Sequence, residues 1–179
     1  MADPTIDIAA NIKLVAAHMK AYAAKLDIDM PSIRMEPGRS IVADSGMTLY
    51  TAGTVKRIPG YKNYVSVDGG MADNPRCALY KSPYTVCLAN RMKSQAPTFN
   101  CTIAGRCCES GDLLQENVTL PADITRGDII AVLTTGAYNY SMSSNYNRLA
   151  KPPIVMIKDG SDYIAVKRES LEDVCKNDI

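Results

Sequence analysis

After Gly46 the sequence settles into short apolar runs of alternating character, each closed by a turn signal. This punctuation limits the fold more than any other feature of the chain. The runs are 47–57, 64–67, 85–89, 98–103, 129–134, 154–157 and 163–167. Between them stand Pro59-Gly60, Asp68-Gly69-Gly70, Arg126-Gly127-Asp128 and Asp159-Gly160-Ser161. Many short strands with frequent turns predict a mainly β fold, an antiparallel barrel or sandwich. Asp159-Gly160 lies between the last two runs and predicts a hairpin. Ser170-Leu171-Glu172-Asp173 has the form of a capping box that opens a C-terminal helix, with Asp173 where Glu or Gln is usual.

The first 45 residues follow another rule. Asp3-Pro4 reads as a helix start, a capping acid and then proline in the first turn. Apolar residues then recur at helical spacing at Ile8, Ile12, Val15, Ala16, Met19, Ala23 and Leu26, which predicts one buried stripe. Asp27 to Pro31 ends this helix, and Ser32 to Glu36 reads as a short strand running into Pro37-Gly38-Arg39. One helix and one strand cannot cover both faces of a parallel sheet. Residues 1–45 therefore read as the last helix–strand unit of a truncated α/β domain. Residues 46–179 read as a β-domain with a terminal helix.

The totals exclude several classes of function. The net charge is +1, so no basic excess points to nucleic acid. No apolar stretch reaches the roughly 18 residues of a membrane span, and the N-terminus lacks the pattern of a signal peptide. These features predict a cytoplasmic protein. There are six cysteines and a single histidine, His18, with no Cys-x-x-Cys spacing, which argues against a structural zinc site. His18 lies beside the helical stripe and reads as a surface residue, and most of the thiols read as small core hydrophobes.

Chemistry concentrates in a polar turn, Cys108-Glu109-Ser110-Gly111-Asp112, led by Gly105-Arg106-Cys107. A tuned thiol can lend a proton near neutral pH, and a neighbouring carboxylate can read a cationic group. Three further stretches stand out. They are Glu36-Pro37-Gly38-Arg39, then Asp68-Gly69-Gly70 with Asn74-Pro75-Arg76 and Tyr80, then Gly136-Ala137-Tyr138 with Ser141 to Asn147. A glycine after a strand lets backbone approach a ligand closely, and an adjacent arginine can grip an anion.

In order and spacing these four stretches together resemble the C-terminal half of the diaminopimelate decarboxylases, within the alanine-racemase-like, fold type III pyridoxal-phosphate decarboxylases. Ornithine decarboxylases share Glu-Pro-Gly-Arg and Gly-Ala-Tyr but carry Cys-Asp where this chain has Cys108-Glu109. The resemblance implies pyridoxal 5'-phosphate as cofactor and a small amino-acid substrate. It implies that Glu36 keeps the pyridine nitrogen protonated and that Gly38 and Arg39 lie by the cofactor phosphate and the substrate. Arg76 and Tyr80 would hold the distal carboxylate, Glu109 the distal ammonium, and Tyr138 the cofactor. Cys108 would return a proton to the α-carbon, reaching across a two-fold dimer into the partner's site. Cys77 stands where the family often has proline, and Cys107 reads as a packing thiol.

The resemblance also exposes what is missing. In this family the cofactor is carried on a lysine of an early barrel strand. Tyr22-Ala23-Ala24-Lys25 matches that motif superficially, but it sits at the end of an amphipathic helix just before Glu36. The expectation is half an active site, inactive in isolation. It would be completed by a homodimer or by a separate barrel chain, with no metal, nucleic acid or membrane involved. A related ornithine or carboxynorspermidine decarboxylase fragment, and a non-catalytic dimerising β-domain, are the alternatives.

Overall fold

The computed structural model describes residues 6–179. The chain forms two compact units, one up to Glu36 and one over Pro37–Ile179. The expected helix start at Asp3-Pro4 lies outside the described residues.

The first unit is a single helix, α1 (Ile8–Leu26). Asp7 caps it, accepting from the Ala10 amide at 2.9 Å. Asp27 ends it in the left-handed conformation, with φ 51°. Ile8, Ile12 and Val15 are exposed along the predicted stripe, and Ala23 alone of this helix is buried. His18 is exposed. The strand expected over Ser32–Glu36 does not form. A strand needs a neighbour to take its backbone hydrogen bonds, and among the described residues no strand pairs with this segment.

The second unit opens with a one-turn helix, α2 (Arg39–Val42), and a 3-10 turn over Ala43–Ser45. The body is a six-stranded sheet curled into a nearly closed barrel. Its strands are β1 (Met47–Arg57), β2 (Asn63–Val67), β3 (Val86–Leu88), β4 (Thr98–Ala104), β5 (Leu113–Pro121) and β6 (Ile129–Leu133). They lie in the order β3-β6-β1-β2-β4-β5. The Tyr84 amide donates to Gln115 Oε1 at 2.8 Å, joining the segment before β3 to β5 across the gap between the edges. Core side chains come from every strand: Tyr50, Ala52, Val65, Leu88, Ile103, Leu114, Leu120 and Ile130 among them.

The sheet is mixed, not purely antiparallel. Tyr64, Val65 and Ser66 of β2 pair in parallel with Thr102, Ile103 and Ala104 of β4. Parallel neighbours need a long crossover. Here the crossover carries a short helix, α3 (Arg76–Tyr80), and β3, which joins the opposite edge of the sheet.

Strand β5 was not among the expected runs. Its apolar alternation breaks at Gln115-Glu116-Asn117, where Asn117 turns left-handed at φ 56°. Cys101 pairs with Val118, Ile103 with Gln115 and Ala104 with Leu113, so β5 slips in register against β4 at two successive steps. The predicted hairpin is present as β7 (Ile154–Lys158) and β8 (Ser161–Val166), joined by Asp159-Gly160 at φ 51° and 76°. The capping box at Ser170 and Asp173 opens α4 (Leu171–Cys175). Among the described residues no helix is long and apolar enough to cross a membrane. None hold a His, Cys, Asp or Glu group fit for a metal ion.

A polar clamp fastens the loop after β3 to the turn before β6. Buried Asp128 accepts from Arg91 Nη2 at 2.6 Å, Arg91 Nε at 3.1 Å, Asn90 Nδ2 at 3.0 Å and the Thr125 amide at 2.8 Å. The Arg91 hydrogen bond, followed by the Thr125 amide and Asn90, holds the Asp128 carboxyl well below the usual carboxylate range. A depressed folded pKa contributes stability that is fully present above the unfolded value, about 3.9, and is lost as pH falls through the folded one. The urea midpoint should therefore fall between about pH 5 and pH 2, and Asp128→Asn should start lower at pH 7 and show a flatter acid limb. An unchanged acid limb in that variant would remove Asp128 as its cause.

Candidate functional site

The site is built by the segments that leave the barrel strands. Asp68-Gly69-Gly70 follows β2 and is pinned at once: the Thr51 amide donates to Asp68 Oδ1 at 2.8 Å. The Tyr50 hydroxyl donates to Asp73 Oδ2 at 2.5 Å, and the Gly70 amide to Asp73 Oδ1 at 2.9 Å. Burial pushes both Tyr50 and Asp73 up, and the Asp73 charge adds to the effect on Tyr50. This pair holds the loop that delivers α3, and with it Arg76.

Arg76 is only 8% exposed. Among the described residues no carboxylate forms an ion pair with it. Its neighbours are aromatic. The guanidinium carbon lies 5.0 Å from the Tyr80 ring centroid and 5.7 Å from that of Tyr138, and Nη1 lies 3.9 Å from Met142 Sδ. Nearby, Tyr84 donates its hydroxyl to Asn139 Oδ1 at 3.1 Å. Burial pushes Tyr84 up, and the Arg76 charge pulls it back. A buried guanidinium without a counter-charge is costly to keep, and an anionic ligand supplies the missing partner.

Tyr138 stands left-handed, at φ 65°, with 44% of its surface exposed. The Arg39 guanidinium lies 5.5 Å from its ring centroid, so the ring meets two cations. Gly38 lets the phenol lie close against the backbone, since a Cβ there would displace the phenol oxygen. The Gly136 amide donates to Ala43 O at 3.0 Å, and the Thr135 amide to Gly46 O at 3.0 Å. These bonds hold the α2 segment against the strand end that carries Tyr138. Gly38, Arg39, Arg76, Tyr80 and Tyr138 thus come together. Glu36 closes the other unit.

Cys108 and Glu109 are both exposed. Neither side chain makes a hydrogen bond or ion pair with Arg39, Arg76, Tyr80 or Tyr138 among the described residues. Their turn is held from below by Asp112, which is 3% exposed. Its carboxylate accepts from the Cys107 amide at 2.6 Å and the Met71 amide at 2.6 Å. Gly70 and Gly105 wall it in, since a Cβ at either position would collide with its oxygens. One buried carboxylate therefore ties the thiol-bearing turn to the loop that leads to Arg76. Cys107 is buried, which pushes its thiol up, as fits a packing residue. Lys25 lies in the last turn of α1.

The reading of motifs gave Asp112, Asp73 and Tyr84 no role. Their partners lie 41, 23 and 55 residues away, so only the folded sheet reveals them.

The barrel-like sheet domain thus carries a buried arginine with no ion-pair partner among the described residues and an exposed thiol–carboxylate turn. The chain belongs to the pyridoxal-dependent decarboxylases: residues 40–136 match the family's C-terminal sheet domain. It is 47% identical over 167 residues to diaminopimelate decarboxylase of Bacillus subtilis, covering 93% of this chain and 37% of that protein. It is 46% identical over 176 residues to the Staphylococcus aureus diaminopimelate decarboxylase, covering 98% and 41%. The chain thus spans about two fifths of the length of these relatives. A crystal structure of the diaminopimelate decarboxylase of M. jannaschii in complex with L-lysine matches 100% of this chain and 40% of that one. It does so with a TM-score of 0.84 at 30% identity. The donor set fits a phosphate-bearing cofactor: the Tyr138 phenol with the Arg39 guanidinium over its ring and a side-chain-free glycine beside it suits a phosphate dianion.

Proposed function

We propose that this chain supplies the sheet-domain half of the active site of a decarboxylase that converts meso-2,6-diaminopimelate to L-lysine and CO2, within lysine biosynthesis in the cytoplasm. The observation that carries the reading is Arg76, buried beside two tyrosines with no carboxylate partner among the described residues. Diaminopimelate keeps a carboxylate and an ammonium at its unreactive end, and that carboxylate is the partner Arg76 lacks. In this reading residues 1–45 close a pyridoxal-phosphate-binding barrel domain and 46–179 form the β-domain.

Bound pyridoxal phosphate supplies the electron sink that makes loss of CO2 feasible. Gly38, Arg39 and Tyr138 would hold its phosphate, and Arg39 and Tyr138 would also border the substrate. Glu36 keeps a proton on the ring nitrogen. Arg76 and Tyr80 fix the distal carboxylate while Glu109 pairs with the distal ammonium. An analogue that lacks the distal carboxylate leaves the buried Arg76 charge unpaired and is rejected. Cys108 Sγ holds the proton that is delivered to the α-carbon. Cys108 and Glu109 are exposed and neither side chain bonds to the Arg76 cluster among the described residues; in this reading the turn serves the site of a second copy in a homodimer.

The test compares two preparations. The purified 179-residue chain with pyridoxal phosphate should release no CO2 from diaminopimelate. The same chain joined to a lysine-bearing barrel domain should release it, and should prefer diaminopimelate to ornithine and carboxynorspermidine. Turnover by the chain alone would overturn the half-site reading. A joined enzyme preferring ornithine would overturn the substrate.

A further inference from the structure

The thiol turn has a second tether besides Asp112. The Cys108 amide donates to Asn147 Oδ1 at 2.6 Å, across 39 residues of sequence. Asn147 is exposed, and its backbone is left-handed at φ 54°, followed by Arg148 at φ 59°. Two successive left-handed residues other than glycine are uncommon, and asparagine is among the few that tolerate the region. The segment is braced on several sides. Asn145 Nδ2 donates to Leu149 O at 2.9 Å and to Glu169 Oε2 at 2.6 Å, and the Lys151 amide donates to the same Glu169 oxygen at 2.8 Å. Arg148 Nη2 pairs with Asp178 Oδ2 at 2.8 Å, and the Ser144 amide donates to Ala72 O at 2.8 Å. Asn147 Oδ1 is therefore a fixed acceptor on a braced loop.

Stability does not require this bond. Cys108 is exposed, and its amide would be satisfied by water at little net cost. What the bond does fix is the peptide plane at Cys108, and so the direction in which Cα–Cβ–Sγ leaves the turn. A proton donor acts only within hydrogen-bond reach of the atom it serves, and small misplacements are costly. We propose that Asn147 is a positioning residue for Cys108: its amide oxygen orients the thiol for proton delivery. The inference rests on Cys108 acting as the proton donor.

Asn147→Gly keeps the left-handed backbone and deletes the acceptor, whereas Asn147→Asp keeps an oxygen in the same place. In the purified chain, amide exchange at Cys108 should quicken about tenfold in Asn147→Gly, the equivalent of one modest hydrogen bond. Exchange at Cys107, held by Asp112, should stay unchanged, as should the melting temperature. In the chain joined to its barrel domain, kcat should fall about tenfold with KM little moved, and Asn147→Asp should recover most of the loss. Exchange that quickens equally at Cys107 and Cys108, or an unchanged kcat, would overturn the proposal. A Cys108→Ala enzyme run in parallel separates the two ideas. If it is slow while Asn147→Gly is normal, the positioning role alone fails. If it turns over normally, the proton-donor reading fails and this inference with it.

Discussion

Cys108→Ala in the enzyme assembled from this chain and a barrel domain should lower kcat by about a hundred- to ten-thousand-fold, the usual worth of a positioned general acid. KM should change little, because the groups proposed to bind substrate are Arg39, Arg76, Tyr80, Glu109 and Tyr138. Folding should be spared. The side chain is exposed, and the turn is held through backbone amides by Asp112 and Asn147, neither of which touches the thiol sulfur. Cys107→Ala is the internal control. It removes a buried thiol, so it should cost stability and leave turnover of the folded enzyme near normal. Steady-state kinetics and thermal melts on both variants check the pair. Normal turnover by Cys108→Ala would leave the turn with a structural role alone.

The second large effect falls on Arg76. Arg76→Met keeps the buried length of the side chain and deletes the charge. Breaking a buried charge pair typically costs about 2–5 kcal/mol, so kcat/KM for diaminopimelate should drop on the order of 10²- to 10³-fold. Stability should move the other way. The guanidinium has no carboxylate partner among the described residues, so its removal relieves an uncompensated desolvation and the variant should melt no lower than the parent. Destabilisation with retained kcat/KM would mean that Arg76 is a scaffold residue. The substrate series sharpens the reading: the loss should vanish for an analogue without the distal carboxylate.

The sequence announced those parts of the fold whose signals are local. The Asp159-Gly160 hairpin and the Ser170 capping box each rest on a few adjacent residues, and both appear as expected. Strand β5 escaped because a bulge at Asn117 breaks the alternation that marks a strand. The supposed strand at Ser32–Glu36 had the right composition but finds no partner strand, and composition cannot supply one. The parallel pairing of β2 with β4 depends on where the chain returns after α3 and β3, which no local pattern encodes. The site divides likewise. Arg76 and Tyr138 were legible as motif residues, but the burial of Arg76 and its want of a counter-charge are properties of the folded sheet. Asp112 and Asn147 act through oxygens that accept backbone amides from distant segments, and such contacts leave no signature in residue type.

The cradle of Asp112 has an evolutionary reading as well. Gly70 and Gly105 belong to different segments, yet each is confined to a hydrogen side chain by the same two oxygens. Drift at any one of the three positions is therefore blocked until another has changed. A shorter residue at 112 would open room for side chains at 70 and 105, but it would release the Met71 and Cys107 amides together. Three separate letters of the sequence behave as one heritable unit, and the path away from it passes through a state that has lost its hold on the thiol turn.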